Sequence, residues 1–141
     1  MSTFSQAALA RELGISEMSA HRLLKTLGRA GKPLTDLDVL AVLVIGEMQD
    51  LDIKAYRAAE ILADLSAEIR HVATSPDRRC WIVFVETDHG DFRLAPTSRS
   101  HLEAIIDSFP LAVILPLHRL AASAGECLAG MKARLSLKEA A

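Results

Sequence analysis

The chain has 141 residues, half of them hydrophobic and only 4% aromatic, with a net charge of −2, a size and palette suited to one compact domain, or two small ones, of helices packed on helices or on a small sheet. The apolar run 39–45, bounded by Asp38 and Glu47, is too short to span a bilayer, and no charged segment leading into an apolar one opens the sequence, so a cytoplasmic protein without a membrane partner is expected. Cys80 and Cys127 lie far apart without a CxxC spacing, which argues against a disulfide framework and a zinc finger and makes both expected buried thiols.

A first short helix is predicted over 5–13, capped by Thr3 or Ser5 and ended by Gly14, a residue tolerant of left-handed backbone angles. Ser16 is a good N-cap for a second helix to about residue 27, after which Gly28, Gly31 and Pro33 interrupt helix formation. Thr35 and Asp38 form a capping box before an apolar run, which predicts a third helix over 36–49. A fourth, capped by Asp52, is predicted to run to residue 71 with Ile53, Tyr56, Ala59, Leu62, Leu65 and Ile69 on one face. The polar, proline-containing segment 73–79 reads as a linker. Beyond it, 80–87 and 92–96 read as a hairpin around the turn 88–91. Ser100 and Glu103 suggest a box for a short helix to residue 108, residues 111–115 a third strand, and 117–135 a last helix. The expected fold class is therefore α+β. A four-helix front, residues 1–72, precedes a small ββαβα back, residues 80–141.

The stretch ARELGISEMSAHRLL, residues 10–24, carries most of the functional information. A helix-turn-helix needs a small residue where the helices cross, a left-handed position at the turn and an apolar residue just after it. Ala10, Gly14 and Ile15 fill these places, with Leu9, Leu13, Ala20 and Leu23 as inward faces. Glu17, Met18, His21, Arg22 and Lys25 are left facing outward, side chains of suitable length for base edges and phosphates. Charge is segregated in the same sense: residues 1–33 carry five basic and two acidic residues, net +3, and the remainder nets −5.

Two segments, FSQAALARELGISEMSAHRLL (4–24) and LTDLDVLAVLVIGEMQDLDIKAYRAAEIL (34–62), together resemble the MerR-like helix-turn-helix family in order and spacing, over roughly residues 4–69. The resemblance implies that the second helix enters the major groove of double-stranded DNA and presents Glu17, His21, Arg22 and Lys25. Ser16 and Ser19 would contact DNA from the helix N-terminus, where backbone N–H groups favour anions. Arg11, Arg29 and Lys32 would meet the phosphate backbone. Two departures stand out. The family's two-stranded wing is reduced to GRAGKPL (28–34), so its contacts are not carried over, and the long coiled-coil dimerisation helix is replaced by the α/β back half.

That back half reads as a dimerisation or regulatory module. Its last helix carries a stripe of Leu117, Leu120, Ala121, Ala124, Leu128, Met131 and Leu135, which either covers the sheet or pairs with a second chain. Asp88, His89 and Asp91 read as a polar turn rather than an acid–base or metal site, the other histidines are scattered, and no phosphate-loop or nucleophile motif occurs. No catalytic residue, metal or cofactor is expected. The reading is a homodimeric transcriptional regulator, a repressor rather than an activator, bound to an inverted repeat. Its rivals are a phage-type DNA-handling subunit resembling small terminases, which predicts rings and weak sequence preference, and a protein–protein adaptor.

Overall fold

The computed structural model describes residues 4–140, so Thr3, the alternative cap of the first helix, lies outside the described residues. Among these, the chain forms seven α-helices and one three-stranded antiparallel sheet: α1 (Gln6–Leu13), α2 (Glu17–Thr26), α3 (Asp36–Asp50), α4 (Ala55–Asp64), α5 (Ser66–Thr74), β1 (Trp81–Thr87), β2 (Gly90–Leu94), α6 (Arg99–Ser108), β3 (Ala112–Pro116) and α7 (Leu117–Ala140). The chain divides into two units, residues 1–66 with 123–141 and residues 67–122.

In the first unit, local chemistry sets the helix boundaries. Ser5 Oγ accepts from Ala8 N and caps α1. Gly14, at φ 66° and ψ 30°, lets the Ile15 N–H reach Ala10 O (3.0 Å) and its own N–H reach Arg11 O (3.3 Å), a Schellman closure of the helix. Phe4 and Leu34, both buried, meet in a single antiparallel bridge that brackets α1 and α2. Thr35 and Asp38 form the expected capping box at α3: Asp38 N donates to Thr35 Oγ1 (3.2 Å) and Thr35 N to Asp38 Oδ2 (2.8 Å). Apolar nearly all round, α3 is buried from Asp38 to Ile45 and again at Met48. It packs on α4, while α2 packs on α1, α3 and α4. Leu9, Leu24, Ile45, Met48, Ile61 and Leu62 are among the large side chains withdrawn almost completely from water, each stabilising the fold by about 1.5–3 kcal/mol.

The expected fourth helix is two helices. The backbone leaves helical geometry at Leu65 (φ −115°, ψ 28°), whose N–H bonds to Leu62 O. Its proposed stripe advanced by three residues four times in succession, and each such step lags a 3.6-residue turn by about 60°. No straight helix keeps that set on one face, and Tyr56 is accordingly 64% exposed. Asp52 is not its cap either. It occupies the left-handed turn (φ 65°) before α4, and Lys54 takes the N-cap position without a side-chain bond.

Residues 123–141, expected with the sheet, group instead with the N-terminal helices. Ser123 Oγ donates to Glu47 (2.7 Å), Lys132 pairs with Asp36 (2.8 Å), and Arg134 places Nε and Nη2 on Glu12 Oε2 at 3.1 and 3.0 Å. The stripe on α7 is largely used within the chain. Leu117, Ala121, Ala124 and Met131 are buried, and Leu120, Leu128 and Leu135 half-buried.

The second unit is built on the sheet, in the order β2-β1-β3. The register Leu94–Val83–Ile114 puts Trp81, Val83 and Val85 on the face that packs against Leu102 and Ile105 of α6. That helix is capped by Ser98, which accepts from His101 N, rather than by the expected Ser100, two residues further on. In the hairpin turn, Thr87 Oγ1 donates to Gly90 O (2.7 Å) and accepts from His89 N (3.2 Å).

Candidate nucleic-acid interface

Two helix ends position the candidate surface. The Schellman turn at Gly14 fixes the direction in which the chain leaves α1, and Ser16 starts α2 two residues later. Ser16 Oγ accepts from Ser19 N (3.0 Å) and donates to Ser19 Oγ (2.9 Å), so both serines are already engaged in the cap. Ala20 and Leu24 point inward and are fully buried. The complementary face leaves Glu17, Met18, His21, Arg22 and Lys25 exposed.

The cations of that face differ in their engagements. Among the described residues, neither Arg22 nor Lys25 meets a carboxylate, and the sole partner of the Arg22 guanidinium is Met18 Sδ at 3.4 Å, a weak acceptor. Arg11 and Lys32 are exposed and likewise lack ion-pair partners among the described residues. His21 is tied to α1 through Gln6 Oε1 (3.4 Å), whose Nε2 in turn donates to Glu17 O.

Arg29 stands apart. Its Nε lies 2.9 Å from Asp38 Oδ1, an electrostatic contact without an aligned hydrogen bond, and Nη2 donates to Pro33 O (3.1 Å). Asp38 is buried, so Arg29 neutralises a carboxylate that already belongs to the α3 cap. The loop 28–34 thus folds back on its own unit through Arg29 and offers Lys32 outward.

No protein-family model matches this chain, and no curated protein matches it in sequence.

Beside Arg22 the unit is hollow. A groove of about 510 Å³ opens between α2, α3 and the start of α4, walled by Leu23, Val42 and Leu43 and edged by Arg22, Gln49 and Tyr56. The sequence reading missed it. The available signal is Gly46, a glycine within α3, directly after its apolar run, without a turn to explain it.

Other polar clusters do not form sites. Cys80 and His118 approach, but His118 Nδ1 lies 3.0 Å from Cys80 O and 3.3 Å from Cys80 N, and the ring stands edge-on to Trp81 at 5.1 Å. The imidazole thus meets the Cys80 backbone. Burial, and secondarily the charge of Glu68, pushes the thiol up to about 11, the reverse of what a nucleophile requires. Cys127, expected to be buried, is exposed. Asp88, His89 and Asp91 sit on an exposed turn, and no metal-binding group of three His, Cys, Asp or Glu forms among the described residues. No helix among them is long and apolar enough to cross a membrane.

Proposed function

We propose that this chain is a DNA-binding transcriptional regulator of the MerR-like helix-turn-helix type, with α2 entering the major groove. The observation that carries this reading is the exposed face of α2, where Arg22 and Lys25 project from a well-capped helix without carboxylate partners among the described residues. A cation not committed to an internal pair retains its donors for phosphates or base edges. Arg22 would read a guanine, a contact contributing roughly 1–3 kcal/mol if bidentate. Lys25, Arg11 and Lys32 would meet phosphates. Ser16 and Ser19 act through the helix start they build, and Arg29 holds the loop.

A single unit of this size covers little DNA, so an inverted repeat bound by a homodimer, with recognition helices about 34 Å apart, is the expected target. Because the α7 stripe is largely buried, the second copy is expected at the edge strand β3. Val113 there is 63% exposed and neighbouring Leu111 68%. Occupancy of such a site would repress by blocking polymerase.

The test is a selection from genomic fragments at near-physiological salt with the purified protein and its Arg22→Ala variant, alongside a solution mass. Enrichment of one palindrome by a dimer, lost in the variant, is the expected result. Indiscriminate binding by a larger ring would favour a DNA-handling subunit. Absence of any nucleic-acid affinity would leave a protein adaptor.

A further inference from the structure

The groove beside Arg22 combines three observations that point to a small ligand. Its volume, about 510 Å³, falls within the roughly 300–1,000 Å³ typical of small-molecule sites. Its walls are apolar, with Val42 and Leu43 almost withdrawn from solvent, while its edge carries one cation and the polar groups of Gln49 and Tyr56. That cation, Arg22, has only a thioether for a partner.

Gly46 supplies a fourth observation. It lies within α3, where glycine costs about 1 kcal/mol relative to alanine. Its φ is not positive, so the backbone does not require it. A Cβ placed there would meet no atom within 4 Å, so packing does not require it either. What the missing side chain leaves is room in the groove.

We infer that this groove binds a small amphipathic carboxylate, its apolar body between α2 and α3 over Gly46 and its carboxylate on the Arg22 guanidinium. A planar carboxylate matches the fork of an arginine with two parallel N–H donors, and the apolar walls favour a ring or short chain over a free inorganic anion. The consequence for regulation rests on the DNA reading of α2. There Arg22 would serve both ligand and DNA, so the carboxylate would release the chain from its site.

The probe is 1-naphthoate, with neutral 1-naphthalenemethanol as control, titrated into the full chain by calorimetry without DNA. Saturable binding of one naphthoate per chain is expected, at least tenfold tighter than the alcohol. Weakening of tenfold or more is expected both in Arg22→Ala and in Gly46→Leu, which fills the space. Helical circular dichroism and an unchanged or raised Tm would show that Gly46→Leu is folded, and Gly46→Ala, with smaller bulk, should weaken binding less. Absence of saturable binding, equal binding of the alcohol, or indifference to both substitutions would overturn the site. So would self-association lost in Gly46→Leu without naphthoate uptake. The coupling is read separately, with DNA selected in the absence of ligand. With naphthoate at ten times its own Kd, exclusive competition raises the apparent Kd for DNA about elevenfold. Unchanged DNA affinity under saturating naphthoate overturns the coupling, whereas a chain that binds naphthoate but never DNA overturns the DNA reading and leaves the carboxylate site intact.

Discussion

The exposed face of α2 and the Cys80–His118 corner of the sheet unit are both clusters of reactive or charged side chains, yet they differ in what their polar atoms already do. On α2, Arg22 and Lys25 have no carboxylate partner among the described residues. At the sheet, the imidazole of His118 meets the backbone of Cys80, Arg79 Nη1 lies 3.5 Å from its Nε2, and the thiol faces the carbonyls of Trp81 and Ala95. Satisfied polar groups hold a fold, while unsatisfied exposed cations remain available to a ligand. Residue type alone does not separate the two cases.

The comparison breaks most readily at Asp38, the buried anion that keeps Arg29 on the structural side. Asp38→Ala removes half of the capping box and strands Arg29, and is expected to cost about 2–3 kcal/mol in urea unfolding, allowing for the partial exposure of Arg29. A loss below half a kcal/mol would mean that the loop does not depend on the pair.

Cys80 sharpens the other side. Its thiol is raised in the folded chain from 9.0 to about 11, so folding favours the protonated form. That contribution is complete below pH 9 and disappears as pH rises through 11, a decline of up to about 3 kcal/mol. Urea midpoints between pH 8 and 11, compared with Cys80→Ala, measure it. In native protein a thiol reagent should label Cys127 and reach Cys80 only on unfolding.

Smaller effects separate two glycines. Gly14→Ala, forced into left-handed geometry at φ 66°, should lose about 1 kcal/mol, whereas Gly46→Ala should gain up to about 1 kcal/mol from helix propensity. Thermal melts decide the sign of each. The finest distinction is among the basic residues. On the proposed DNA reading of α2, Lys25→Ala should lower the salt dependence of binding by roughly 0.9 in log–log slope, and Arg29→Ala should leave that slope unchanged while lowering Tm.

Much of the fold was legible because it is written in short-range chemistry. The Thr35–Asp38 box, Gly14 and the Ser16 cap each act within a few residues, and each produced the boundary that its chemistry demands. The break at Leu65 is hidden in the sequence by a run of apolar residues spaced mostly by three, which drifts around a helix instead of marking one face. The shift of the α6 cap from Ser100 to Ser98 reflects two serines and a threonine competing within 97–100. For the candidate surface, the outward set on α2 could be read from periodicity, but the commitment of Arg29 could not, because its anion lies nine residues away. The groove was less legible still, since it arises where apolar faces of separate helices fail to close, and a pattern marks a face as apolar without saying whether it is covered.

The grouping of residues 123–141 with residues 1–66 bears on the order of synthesis. During translation the helices α1–α4 emerge well before Lys132 and Arg134, the partners of Asp36 and Glu12. At roughly 5–20 residues per second the intervening segment alone takes several seconds. Throughout that interval the nascent first unit lacks Met131 and the ion pairs of Lys132 and Arg134. The contacts of Ser123, Lys132 and Arg134 with α1 and α3 therefore form only once nearly all of these 141 residues have left the ribosome, after the whole of the sheet unit has been made.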